Sequence, residues 1–187
     1  MTPKLSYLLV ALVSVALLVG ADSDLNSYHK VYSVERPVVN LPLSMRQENW
    51  LSGGSGSCVW ATTISLLRWQ GEYELAEEVR QSRGGGVWLG ELFAELDAIG
   101  ITYAGVCNSE EWFLEWACET RRGAAIPIMG GRHMVALVEI TETEACILDN
   151  NSVEKYLWLP RNVLISDWKN SGGYAFTPIY TPQAPLP

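Results

Sequence analysis

Gly53-Gly54-Ser55-Gly56-Ser57-Cys58-Val59-Trp60-Ala61-Thr62-Thr63-Ile64-Ser65-Leu66-Leu67-Arg68-Trp69 joins a glycine–serine loop to a segment that reads as a buried helix. After Cys58 no glycine or proline interrupts the run, and its one charge is Arg68. A helix start carries unpaired backbone N–H groups and the positive end of the helix dipole. A thiol placed there loses its proton more readily, and the thiolate is the nucleophilic form. The chain has two histidines, His29 and His133, so few residues qualify as a partner base.

The 187 residues are 48% hydrophobic and 18% charged, enough for one domain with its own core. The formal net charge of -8 argues against nucleic acid and anionic membrane surfaces, which demand a basic patch. At the N-terminus, Lys4 precedes an apolar run that ends in Val19-Gly20-Ala21. Residues 1–21 therefore read as a secretory signal, or as a membrane anchor if the segment is retained, although it is short of the ~20 apolar residues of a full span. Either way the rest of the chain is expected outside the cytoplasm, with membrane association only if the segment stays. Four cysteines follow: Cys58, Cys107, Cys118 and Cys146. If Cys58 stays free, Cys107 and Cys118 are candidates to pair. With no CxxC spacing and little histidine, no metal site is expected, and no cofactor.

Residues 22–42 read as an extended, proline-punctuated lead-in, 43–180 as the folded domain and 181–187 as a proline-rich tail. Past the Cys58 helix, which Gly71 stops, residues 72–81 read as a surface helix. Gly84-Gly85-Gly86 breaks the chain. Residues 87–99 then read as a helix, with Trp88 expected in the core and a place on a cleft wall as the alternative. Strands are expected at 101–107, 124–129, 133–140, 145–148, 155–159 and 174–180, and helices at 110–120 and 160–169. Helices come first and strands later without βαβ alternation. The fold class is therefore α+β, an N-terminal central helix packed on a mostly antiparallel sheet.

A cysteine nucleophile needs an imidazole to take its proton and return it to the leaving group. His133 follows Gly130-Gly131-Arg132 and opens the apolar strand Met134-Val135-Ala136-Leu137-Val138, whereas His29 lies in the polar lead-in. The imidazole needs an acceptor to fix its tautomer. Asp149 stands one hairpin later, where the second strand returns beside the start of the first. Asn150 and Asn151 are its rivals, and the stretch can equally be a plain turn. For the oxyanion, the Cys58 backbone N–H is one donor and an upstream side-chain amide the other, Gln47 first and Asn49 second.

Upstream glutamine, helix-opening cysteine, distant histidine at a strand start, then aspartate a hairpin later: this order resembles the papain-like cysteine peptidases. It is most similar to the bacterial branch that includes the bacteriocin-leader-processing, C39-like peptidases. The resemblance spans about residues 47–149. It implies a papain-like fold and a thiol peptidase mechanism, with Cys58 as nucleophile, His133 as base and acid, Asp149 as orienter and Gln47 as oxyanion donor. The implied partner is a peptide or protein substrate, and the reaction is cleavage of peptide or isopeptide bonds through an acyl-enzyme. Two alternatives use the same residues: acyl transfer of the transglutaminase kind, and an inactive papain-like module that only binds peptides.

Overall fold

The computed structural model describes residues 36–51 and 56–181. The expected signal segment, His29, most of the lead-in, Gly53 to Ser55 of the glycine–serine loop and all but the first residue of the tail lie outside the described residues. Among the described residues no helix is long and apolar enough to cross a membrane.

Helix α1 spans Cys58–Trp69, and every residue in it except Arg68 is buried. Val59, Thr62, Thr63 and Ile64 are β-branched, so intrinsic propensity favours this helix little. Burial holds it instead: each fully covered Ile, Leu or Trp contributes on the order of 2 kcal/mol. The polar residues it buries are satisfied, since the Thr63 and Ser65 hydroxyls donate back to the Val59 and Ala61 carbonyls. Gly71, at φ 91°, turns the chain out of the helix. Helices α2 (Tyr73–Ser82) and α3 (Leu92–Ala98) follow. Helix α3 starts later than its apolar spacing predicts. Leu89–Glu91 form a single 3-10 turn, Trp88 is extended, and Trp88 is 83% exposed rather than in the core.

The remaining elements are β1 (Tyr103–Val106), α4 (Glu111–Glu119), β2 (Ala124–Ile128), β3 (His133–Ile140), β4 (Glu144–Leu148), β5 (Leu157–Pro160), α5 (Arg161–Asn170) and β6 (Ala175–Pro178). They form one six-stranded sheet in the order β1-β6-β2-β3-β4-β5, with every pairing antiparallel. This is the expected α+β class with its antiparallel sheet.

The sheet is covered on both faces. Met134, Ala136 and Val138 of β3 join the core around α1, α2 and α3, while Val135 and Leu137 join a second core under α4 and α5. A strand buried on both sides must be apolar throughout, which explains the uninterrupted run from Met134 to Val138. The packed structure also begins earlier than residue 43. Val39 and Leu41 are fully buried, and the Val39 N–H donates to the Val138 carbonyl. That carbonyl lies where the β3–β4 register shifts between Leu137 and Glu139. The last residues of the expected lead-in are therefore part of the core.

Candidate active site

Cys58 is the first residue of α1, and no side chain caps that end. Ser57, directly before it, turns its hydroxyl elsewhere. Its Oγ accepts from the Trp50 and Leu51 N–H groups and donates to Asn49 Oδ1. No acidic residue occupies the first turn either. The positive end of the helix is thus left to act on the thiol.

His133 is delivered by the β2–β3 hairpin, whose last register pair is Ile128 with His133. The turn between them bends sharply, with Met129, Gly130 and Gly131 all at positive φ. Met129 is not a glycine, and that conformation needs outside support. Helix α5 supplies it. Both carboxylate oxygens of buried Asp167 accept from the Met129 N–H at 3.1 Å, and Ser171 Oγ accepts from the Gly130 N–H at 2.9 Å. Neither residue is singled out by the sequence reading. Two glycines before a strand-opening histidine are the only trace they leave, through the polar anchors such a turn demands.

The hairpin of β3 and β4 brings Asp149 back to His133, where its Oδ1 meets the imidazole Nε2 at 2.8 Å. The Asn151 N–H donates to the same oxygen at 2.9 Å and steadies it. With Nε2 engaged, Nδ1 is the ring nitrogen left to the thiol. Imidazole and thiol are hydrogen-bonded neighbours, each shifting the other's protonation. Burial pushes the Cys58 thiol up, but the hydrogen bond and charge of His133 and the backbone N–H groups of Met134 and Val59 outweigh it. The thiol therefore lies below its ordinary value. Burial likewise opposes the imidazolium. The hydrogen bonds and charges of Asp149 and Cys58 overcome that and raise His133 to about 9. The favoured pair is thiolate and imidazolium.

The other cysteines contrast with Cys58. All four thiols are free, so the candidate pair Cys107 and Cys118 is not bonded. Burial pushes the Cys118 and Cys146 thiols up, which keeps them protonated and inert.

The rival orienters separate cleanly. Asn150 points away from the imidazole. Its Nδ2 donates to the Cys58 carbonyl, the Met134 carbonyl and Thr62 Oγ1. Asn151 Nδ2 lies 3.4 Å from His133 Nε2, a longer contact than that of Asp149.

Gln47 is a correction. Its backbone N–H donates to Ser65 Oγ, its Nε2 to the Glu48 carbonyl, and its Oε1 accepts from Arg68. Ser65 and Arg68 lie about two to three turns along α1 from Cys58, on the order of 10–15 Å at 1.5 Å per residue. That is too far for an oxyanion donor. Asn49 is the upstream amide beside the site. Its Oδ1 accepts from the Ser57 N–H, its Nδ2 donates to Asn151 Oδ1, and its N–H donates to the Asn150 carbonyl.

Residues 84–89 reach across both rims. A Cβ on Gly86 would lie 3.8 Å from the Gly56 carbonyl oxygen, and one on Gly131 would lie 3.1 Å from Leu89 Cδ1. Trp88, which lies between these two contacts in the sequence, is 83% exposed.

No family model and no curated protein matches the chain. Among solved structures it is similar to a protein described as a C39-like peptidase from Bacillus anthracis, with 14% identity and a TM-score of 0.55. That match covers 80% of this chain and 99% of the other. A second match is a double glycine motif protease from an AMS/PCAT transporter, in complex with the leader peptide. Identity is 15% and TM-score 0.49, over 79% of this chain and 98% of the other. The first likeness shows that this chain has the papain-like fold of the C39-like type.

Proposed function

We propose that this protein is a thiol hydrolase that cleaves peptide or isopeptide bonds, with Cys58 as nucleophile, His133 as base and acid, and Asp149 as orienter. One observation carries the reading. A thiol held low and an imidazole held high face each other at an uncapped helix start, with a carboxylate 2.8 Å behind the imidazole.

In this reading the Cys58 thiolate adds to the scissile carbonyl and forms a C–S bond. The carbonyl oxygen takes the negative charge and is met by the Cys58 backbone N–H, with Asn49 as the side-chain donor in place of Gln47. The C–N bond then breaks as His133 gives its proton to the departing amine. The acyl-enzyme remains, water attacks it with His133 as base, and the acid product leaves with the thiolate restored. Asp149 keeps the imidazole in the tautomer that presents Nδ1 to the sulfur. The substrate is a peptide or protein chain. We further propose that it is met outside the cytoplasm, on the strength of the signal-like residues 1–21.

The test is to incubate the purified protein with a diverse peptide mixture and look by mass spectrometry for cleaved products and an acyl adduct on Cys58. We expect both, and neither with Cys58→Ala. Incorporation of an added primary amine without hydrolysis would point to acyl transfer instead. Peptide retention without cleavage or adduct would refute the hydrolase.

A further inference from the structure

Asn150 is 3% exposed, and its side chain faces the nucleophile helix rather than the imidazole. Its Nδ2 lies 3.1 Å from the Cys58 carbonyl oxygen, 2.8 Å from the Met134 carbonyl oxygen and 3.0 Å from Thr62 Oγ1. The Thr62 hydroxyl in turn donates to the Met134 carbonyl at 3.1 Å. Two backbone carbonyls around one end of the amide can only accept, so that end must be the NH2 group. Oδ1 is left buried with no partner among the described residues, which means the amide is held here for its donors.

The two carbonyls are not arbitrary. The Cys58 C=O belongs to the same planar peptide as the Val59 N–H, and that N–H faces the Cys58 sulfur. Met134 also turns its own N–H to the sulfur and is the residue directly after His133. One amide thus grips the oxygen of the Cys58–Val59 peptide, whose N–H faces the sulfur, and the carbonyl of Met134, whose own N–H, in the preceding peptide, also faces it. A hydrogen bond on the oxygen of a peptide also polarises its N–H.

We propose that Asn150 is the positioning residue of the nucleophile, tying the peptide after Cys58 to the strand that carries His133 and so setting the separation of the two. It touches neither substrate nor the reacting atoms and acts through Cys58. The proposal rests on the thiol-hydrolase reading of the site.

The experiment measures iodoacetamide labelling of Cys58 against pH in the full chain, by mass spectrometry, with exposed Cys107 as the reference thiol in the same molecule. Wild-type Cys58 is expected to label well ahead of Cys107 at mildly acidic pH. In Asn150→Leu, which keeps the volume and removes the donors, that lead falls about tenfold and the midpoint moves about one pH unit toward alkaline. Asn150→Asp, which sets a carboxylate against the two carbonyls, moves it further. Retained circular dichroism and unchanged Cys107 labelling show that the variants fold. Should Asn150→Leu not fold, Thr62→Val removes one arm of the same clamp and is expected to cost about threefold.

A folded Asn150→Leu whose Cys58 lead over Cys107 stays within about twofold of wild type, with the midpoint unmoved, overturns the proposal. Failure of the hydrolase reading looks different. Wild-type Cys58 labels early yet no peptide is cut, while the Asn150 shift is still read on the thiol. Wild-type Cys58 labelling no faster than Cys107 overturns both.

Discussion

The two halves of the candidate site are built by opposite means. The proposed nucleophile, Cys58, stands on α1, a helix buried along its whole length except at Arg68 and positioned by apolar packing. The proposed base, His133, stands at the end of a tight turn, with Met129, Gly130 and Gly131 at positive φ, held by a few polar bonds from Asp167 and Ser171 on the far side of the sheet. Apolar packing spreads its hold over many weak contacts, whereas the turn depends on single acceptors. Damage to the nucleophile side should therefore be chemical, and damage to the base side both structural and chemical.

Cys58→Ser tests the first half. The sulfur sits among polar partners, His133 and the N–H groups of Met134 and Val59, so a hydroxyl fits without burying an unpaired group. We expect turnover to fall by about 10⁴-fold or more, since a serine there has no lowered pKa to exploit. Thermal stability should stay within about 1 kcal/mol of wild type, read from the melting temperature. A variant that unfolds would mean the thiol holds the helix rather than serving chemistry.

Asp149→Asn acts on the link between the halves. His133 is held at about 9, above its ordinary value, by Asp149 and Cys58 against the cost of burial. Its charged form is therefore favoured in the folded state. That contribution to stability is complete below the unfolded value of about 6.5 and is lost as pH rises through about 9. The active pair follows the same sign, so the wild-type activity profile should fall on its alkaline side near pH 9. With asparagine the alkaline limb moves to lower pH and kcat drops by about 10²- to 10⁴-fold. An unmoved limb would show that Asp149 does not support the imidazolium. The limb belongs to the coupled pair, so one mutation should move both arms of the profile.

Asp167→Ala tests the second half directly. It leaves the half-buried Met129 N–H without its acceptor, a loss of about 1 kcal/mol. A turn released by half an ångström or more would misplace His133, and kcat should fall by about 10- to 100-fold with KM little changed. Melting temperature and kcat should fall together here, where Cys58→Ser separates them. If Asp167→Ala costs stability but not rate, the turn is not what aims the base.

Much of this arrangement was legible in the residues, for physical reasons. The start of α1 at Cys58 follows from a glycine–serine loop meeting an apolar run, and β3 from His133 to Ile140 follows from a strand apolar on both faces. Asp149 is found because antiparallel neighbours fold back on each other. What stays hidden is non-local. Strand β6 inserts between β1 and β2, a pairing that no local pattern encodes. The register shift between Leu137 and Glu139 is also silent in the sequence. That is why Asp149 and Asn150 could not be ranked by spacing. Likewise nothing in the sequence marks Ser171, whose hydroxyl accepts from the Gly130 N–H.

Gln47 gives the smallest effect and the sharpest test of what spacing alone can teach. An amide upstream of a helix-opening cysteine is the expected oxyanion donor, and Gln47 and Asn49 both lie in the stretch before Cys58. The chain from Arg46 to Trp50, however, runs alongside α1 toward its start rather than across its end. Gln47 meets Ser65 and Arg68, while Asn49, two residues on, meets Ser57. Its bonds to the Glu48 carbonyl and Arg68 are half-exposed or more, and exposed polar pairs contribute little. Gln47→Ala should therefore leave kcat/KM within about twofold of wild type and stability within about 0.5 kcal/mol. Loss of an oxyanion donor would instead lower kcat by about 10²- to 10³-fold. Such a loss in Gln47→Ala would mean that the segment before Cys58 rearranges when substrate arrives, and that the apolar half of the site is the one that moves.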